Sequence, residues 1–494
     1  MSPGATPWPS GPLPASGPIT LSARAVVADL AAGRISPLEL VEAAIARIEA
    51  VDPLVNAVPT RCFERARARA RALMQGGAPA AARRGWLGGL PIVVKDLADV
   101  EGVRTTYGSP IFAEHVPQQT ALHVRRLEAN GAIVLGKSNT PEFGAGANTF
   151  NEVFGATRNP WSTDLTCGGS SGGAAVALAT GMAWLADGSD LGGSLRTPAA
   201  FCSVVGLRPS IGRVPVGPGR VRFQTLSVAG PMARDVADVA LMLDAMTGLD
   251  LDDPLATEPP VEAFAAAVMK PPELGRVGFS ADLGGLVPVH PEVARIAGQA
   301  AARLTDLGAA VIENRSPDFG PAREVFEVLR AAHFAYDKAP LLDAERERLK
   351  PEVVWNIERG LALTADEIGW AERERGLIQA RMAAFFREHD LLLCPAAIVP
   401  PFNVELRYLE SLGDYRFPTY IDWVAVTYAI TLTGCPALSL PCGFTASGLP
   451  VGLQIVAPPR GEARLLAAAR ALEEILGLRN AVPIDPRPPA VAKG

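Results

Sequence analysis

Residues 166–200 read TCGGSSGGAAVALATGMAWLADGSDLGGSLRTPAA, and the rest of the chain is organised around them. The stretch holds two glycine-serine clusters, GGSSGG at 168–173 and GSDLGGS at 188–194. Between them, residues 174–185 are small and apolar, which suits a helix followed by a short buried strand. Glycines on both sides of a serine let a ligand approach the backbone and let the chain adopt positive φ. Successive free N–H groups in such a turn make a concavity for an anion. A serine hydroxyl beside that concavity suits acyl transfer, because nucleophile and oxyanion donors share one loop. A flexible linker would lack the packed apolar segment between the clusters.

Upstream, PIVVKD at 91–96 predicts a buried strand ending in Lys95 and Asp96. A buried lysine must be paired or neutral; a lysine snorkelling from the strand end is the alternative. A helix is expected over 119–130, closed by Gly131, and a strand over 132–135. GAIVLGKS at 131–138 fits the phosphate-loop pattern G-x-x-x-x-G-K-[ST] letter for letter. Its variable residues are a hydrophobic strand that cannot curl around phosphate, and Pro141 hinders a helix starting at Lys137, so no nucleotide site is expected there. Ser36-Pro37-Leu38-Glu39 is a helix start, with serine as N-cap and glutamate at the third position. Helices over 21–51 are expected on the outside of the sheet, and a basic-acidic helix over 60–84.

Downstream, a strand and turn are expected over 204–209, a glycine-proline loop over 214–221, and a segment, 227–238, that passes into a helix running to Thr247. Residues 248–274 read as a proline-rich crossing. Strand 276–279, helix 291–307 and strand 309–312 form a βαβ-like unit, which implies parallel strands. Residues 321–389 are mostly helical, and 391–395 is a strand. The irregular segment 396–425 carries Phe402, Tyr408, Tyr415, Phe417, Tyr420 and Trp423 and is expected to cover a pocket. Strands 437–441 and 451–456 and a closing helix over 462–476 complete the chain. The fold class is α/β, a single large domain with a central mixed β-sheet flanked by helices. We divide it into a disordered tail (1–18), N-terminal helices (19–84), a catalytic core (85–250), a substrate-pocket region (255–425) and returning strands and helix (430–480).

The 494 residues are nearly half hydrophobic and carry a net charge of −6. No lysine- or arginine-rich block marks a nucleic-acid partner. The arginines at 65, 67, 69 and 71 read as a solvated helix face. Six scattered cysteines (62, 167, 202, 394, 435 and 442) form no CxxC pair and read as free thiols in a reducing, cytoplasmic setting. The N-terminal tail lacks a basic n-region and an apolar core, so it is not expected to be a signal peptide. No run of about 18 apolar residues suggests a membrane span.

The five histidines (115, 123, 290, 333 and 389) are dispersed, and no metal-binding motif appears, so neither a metal nor a cofactor is expected. GGSSG at 168–172 satisfies G-x-S-x-G, which raises a Ser-His-Asp α/β-hydrolase as one reading. That fold needs a histidine in a late loop, and nothing after His389 can supply it. The remaining base is a lysine, a recognised variant of the triad logic.

At this point the chain resembles the amidase signature family. The matching segments are GLPIVVKD at 89–96, GKSNTPEF at 136–143, GGSSGG at 168–173, GSDLGGSLRTPA at 188–199, GCPA at 434–437 and GLPVGLQ at 448–454. The likeness covers most of 20–250 and 430–475. Leu195 stands where isoleucine is common and Ser189 where threonine is common. The resemblance implies a Ser-Ser-Lys triad, with Ser194 as nucleophile, Ser170 as bridging serine and Lys95 as base. The separation of 24 residues between the two serines is the family's usual spacing. It also implies a cis Gly169–Ser170 peptide, shaped by Ser171 and the flanking glycines. The N–H groups of Leu191, Gly192, Gly193 and Ser194 would form the oxyanion hole, while Asp190 and Arg196 would hold the loop. The family includes amidases, aryl acylamidases, urethanases, fatty-acid amide hydrolases and the glutamine-amidase subunit of the tRNA-dependent amidotransferase. The aromatic segment favours a small neutral, apolar or aryl amide, ester or carbamate substrate, handled by a monomer or homodimer. Arg407 and Asp422 are the groups that could hold glutamine in the amidotransferase alternative.

Overall fold

A computed structural model describes residues 17–76, 83–217, 219 and 221–489. The expected tail lies outside them except for its last two residues. Eleven strands form one mixed sheet. In chain order they are β1 (Thr60–Arg61), β2 (Pro91–Lys95), β3 (Ile133–Ser138), β4 (Leu185–Asp190), β5 (Val205–Arg208) and β6 (Val228–Ala233). β7 (Arg276–Phe279), β8 (Ala310–Ile312), β9 (Leu391–Pro395), β10 (Ala437–Phe444) and β11 (Pro450–Val456) follow. Across the sheet they run β1-β3-β2-β4-β6-β5-β10-β11-β9-β7-β8.

β2 lies parallel to both β3 and β4, with Ile92 opposite Leu185 and Val93 opposite Ala186. Their carboxyl ends therefore share one edge of the sheet, the edge at which open α/β sheets place their ligands. Lys95 ends β2, and Ser189 and Asp190 end β4. Helix Gly172–Ala179 fills the connection before β4, and every one of its residues is buried. Its small residues allow that burial: a Cβ at Gly173 would lie 2.3 Å from the backbone nitrogen of Asn139.

At the other end of the sheet, β7 pairs parallel with β8 and with β9, as the βαβ reading expected. The helix start at Ser36 is a complete capping box, with the Ser36 and Glu39 side chains each accepting the other's backbone N–H. Lys137 is buried on β3 and donates to the carbonyl of Ala98 and to Thr105 Oγ1, so the phosphate-loop pattern is strand here. Among the described residues no helix is long and apolar enough to cross a membrane.

Two expectations fail. The segment 227–238 does not simply pass into a helix, because Val228–Ala233 is a buried strand between β4 and β5 and the helix begins only at Val236. Gly230-Pro231 reads as a turn, but the strand pairs through its remaining groups and tertiary context overrides the local signal. The aromatic side chains of 396–425 do not cover a pocket, while Ile421 and Val424 of the same segment stand in the wall of the pocket that Ser194 lines. Phe417, Tyr420 and Trp423 are buried in a second core under helices Ala322–Glu345 and Ala365–Phe386.

Candidate active site

Lys95 is 1% exposed, and its amine is surrounded by hydroxyls. Nζ lies 2.7 Å from Ser170 Oγ, 2.8 Å from Ser171 Oγ and 3.0 Å from Ser189 Oγ. Burial pushes its pKa down to about 7, against the pull of Asp187 and Asp190. Asp187 accepts the Lys95 backbone N–H at 2.7 Å and lies 3.0 Å from His123 Nε2, so the strand end is fixed behind the amine. The Gly169–Ser170 peptide is cis.

Ser194 sits in the loop between β4 and helix Arg196–Cys202, and its carbonyl accepts the N–H of Ser171 at 3.1 Å. That bond ties the two glycine-serine clusters together. Asp190 anchors the loop, accepting from the backbone N–H of Gly193 (2.9 Å) and Leu195 (3.1 Å) and from Arg196 Nη2 (2.8 Å). Burial alone would raise the pKa of Asp190; Arg196 and Arg208 outweigh it and hold the carboxyl well below the usual carboxylate range. Arg196 is fully buried and also donates to the Thr427 carbonyl and to Gln454 Oε1. Thr427 Oγ1 in turn donates to the Gly192 carbonyl at 2.7 Å.

One expected oxyanion donor is already engaged: the N–H of Gly193 is spent on Asp190. The N–H groups of Leu191, Gly192 and Ser194 have no protein acceptor among the described residues.

Ser170, Ser189 and Ser194 open onto one pocket with a cavity volume of about 120 Å³. Its apolar wall is Phe143, Phe326 and Phe334, with Ile421 and Val424. Aromatic residues thus line the site, but from other segments than the one expected. Arg330, His333, Asp337 and Lys338 add a polar wall, so the pocket is not the uniformly neutral one expected. An adjoining pocket shares Ser189 and His333 and reaches Lys95, His123 and Asp187.

Among the described residues no histidine is hydrogen-bonded to Ser170 or Ser194, and His389 is stacked on Phe385 at 4.3 Å. Arg407 and Asp422 do not line the pocket: Arg407 pairs with Glu352 at 2.6 Å, and Asp422 accepts from Thr419 and Tyr428.

Sequence reasoning missed Ser189 and Asp187 as neighbours of Lys95. The signal was present, since residues two apart on a strand share a face. It also missed Thr427, Arg208 and the α-helical wall at 330–338, which reach the site from distant segments without a motif.

The family model "Amidase" matches residues 39–466. An acylamidase of Rhodococcus erythropolis is 37% identical over 477 residues, covering 94% of this chain and 97% of that protein. A glutamyl-tRNA(Gln) amidotransferase subunit of Moorella thermoacetica is 39% identical over 469 residues, covering 89% and 93%. Among solved structures, a bacterial aryl acylamidase of the amidase signature family superposes with a TM-score of 0.87 at 28% identity, covering 94% of this chain and 99% of that one. A 6-aminohexanoate cyclic dimer hydrolase reaches a TM-score of 0.83 at 28% identity, covering 93% and 98%. The matched length and the shared fold together establish that the chain belongs to the amidase signature family of enzymes acting on carbon–nitrogen bonds.

Proposed function

We propose that the chain is a serine amidase in which Ser194 is the nucleophile, Ser170 the bridging hydroxyl and Lys95 the base. The observation that carries this reading is the 2.7 Å approach of a buried amine to Ser170 Oγ, in the wall of the pocket that Ser194 enters. An uncharged amine has two N–H bonds and one lone pair. With the Ser170 O–H directed at the lone pair, the two amine hydrogens reach Ser171 and Ser189. Three hydroxyls therefore satisfy a neutral lysine without a counter-ion.

As Ser194 Oγ attacks the amide carbon, its proton passes to Ser170, whose own proton moves to Lys95. The carbonyl oxygen takes up the negative charge against the free N–H groups of Leu191, Gly192 and Ser194. Each such donor is worth roughly 3–4 kcal/mol. The proton returns through Ser170 to the leaving nitrogen, the C–N bond breaks, and an acyl-Ser194 remains. Water activated by the same relay then releases the acid. Direct protonation of nitrogen allows amides to be cut as well as esters and carbamates.

The apolar or aryl part of a small amide would rest on Phe143, Phe326 and Phe334. Relatives described as an acylamidase and an aryl acylamidase support that class. The amidotransferase relatives supply the second reading, a glutamine amidase working only with partner proteins. The deciding experiment assays the purified chain alone on an anilide, a phenyl carbamate and glutamine. Hydrolysis of the first two without partners supports the proposal. Ammonia released from glutamine only, and only with partner proteins, would establish the rival.

A further inference from the structure

The pocket wall contains a buried cation with no counter-charge. Arg330 is 4% exposed, and it lines the same pocket as Ser194. Its Nη1 donates to Asn356 Oδ1 at 2.6 Å. Its guanidinium lies over two rings, 5.0 Å from the centroid of Phe334 and 5.2 Å from that of Tyr420. All these partners are neutral. The nearby carboxylates are committed elsewhere: Glu352 to Arg407 at 2.6 Å, Glu142 to Ser109 and the Lys350 backbone, and Asp337 to Lys338 at 2.8 Å. Among the described residues, none pairs with Arg330.

Taking an arginine out of water is costly unless an anion meets it. A tie between two helices needs only a hydrogen bond, which a neutral side chain could give. A second cation lies close by. Lys350 is buried and donates to the carbonyl of Ala145, and its Nζ would lie 3.7 Å from a Cβ at the pocket residue Gly146. Lys350 has Glu352 and Glu142 near it, so among the described residues Arg330 is the cation at this end of the pocket that lacks a carboxylate partner, and the wall beside it is aromatic.

We propose that Arg330 binds a carboxylate on the substrate, so that the preferred amide is one whose acyl part carries a terminal carboxylate, such as the monoamide of a dicarboxylic acid. The planar guanidinium matches a carboxylate through two parallel N–H donors, and Asn356, Phe334 and Tyr420 hold it in the wall. The proposal rests on the amidase reading of Ser194 for turnover, but its binding step does not.

The test compares glutaryl p-nitroanilide with valeryl p-nitroanilide, which have the same chain length and differ in a carboxylate against a methyl end. Wild-type protein should hydrolyse the acidic anilide with a kcat/KM about tenfold or more above the neutral one. Arg330→Met should bring that ratio to one or below, and Arg330→Lys should keep part of it. Calorimetry on Ser194→Ala should show the acidic anilide binding about tenfold more tightly. Turnover of both anilides at a ratio near one overturns the carboxylate site and leaves the amidase reading standing. Selective binding without turnover leaves the site and removes the hydrolase. Binding of neither anilide overturns the proposal. If Arg330→Met fails to fold, the wild-type ratio and Arg330→Lys decide.

Discussion

Lys95 Nζ lies 2.7 Å from Ser170 Oγ, with hydroxyls rather than carboxylates as its close partners. A lysine so placed is held near neutrality by burial, and its pKa falls from 10.5 to about 7. The base form then exists at ordinary pH. The expected kcat/KM profile rises about tenfold per pH unit below roughly pH 7 and levels off above it. Folding is linked to the same shift. Between about 7 and 10.5 the unfolded chain keeps a proton that the folded protein has lost, so this group's contribution to stability improves as pH rises through that window. Below about 7 the folded state bears the full penalty of a buried ammonium. Lys95→Ala should lower kcat by about 10³ or more and abolish the acid limb. A rate that is flat or falls from pH 6 to 8 in the wild-type protein would contradict the lysine base.

Ser194 is joined to the other serine cluster through its carbonyl and the Ser171 N–H at 3.1 Å, a bond that does not involve its hydroxyl. Ser194→Ala should therefore fold with an unchanged circular-dichroism spectrum and lose turnover. With a slowly turned-over phenyl carbamate, intact-mass spectrometry of wild-type protein should show one added acyl group, and peptide mapping should place it on Ser194. An equal adduct on Ser194→Ala would assign the nucleophile elsewhere.

Much of this site was legible in the sequence because its chemistry is local. The strand that ends at Lys95, the helix after Ser171 and the strand that ends at Asp190 each carry their own periodicity and glycine punctuation. What was illegible came from afar. Phe326, Arg330 and Phe334 reach the pocket, and Thr427 reaches the Gly192 carbonyl behind it, from helices whose pattern serves core packing as well as a binding wall. The misread strand Val228–Ala233 shows the same limit, since Gly230-Pro231 announces a turn and only the neighbouring strands make it sheet. Aromatic content alone did not separate core from pocket: Trp423 packs 5.4 Å from Phe402 inside the second core.

Asp190 holds two buried arginines, Arg196 at 2.8 Å and Arg208 at 3.4 Å, with all three side chains fully buried. Asp190→Asn would leave two cations without their counter-charge. Removing one partner from a buried ionic cluster costs about 3–5 kcal/mol, so urea unfolding should show a loss of that order. Because the Asp190 pKa is depressed below 3.8, the stabilisation is complete above that pH and drains away as pH falls through the folded value. An asparagine variant as stable as the parent would mean that the cluster contributes nothing net.

Among the described residues no group of three histidine, cysteine, aspartate or glutamate side chains is placed to hold a metal ion. The proposed relay uses only hydroxyls and an amine. Prolonged dialysis against a chelator should leave kcat and KM unchanged, and added zinc or manganese should not raise them. Loss of activity that a divalent ion restores would require a different mechanism.

Gly193 has a φ of +125°, and a Cβ added there would lie 2.2 Å from Thr427 Oγ1. That hydroxyl holds the carbonyl of Gly192 at 2.7 Å, and the Gly193 N–H is bound to Asp190 at 2.9 Å. The residue cannot move without dragging the donors on either side of it. Gly193→Ala should therefore displace the N–H groups of Gly192 and Ser194 from the oxyanion and lower kcat by about 100-fold or more, with a smaller change in KM. Gly376 is the control: it lies within helix Ala365–Phe386, with nothing within 4 Å of an added Cβ. Gly376→Ala should keep full activity and gain about 0.5–1 kcal/mol from helix propensity. Equal kcat in Gly193→Ala and Gly376→Ala would show that the loop tolerates the displacement and that its amides do not set the rate.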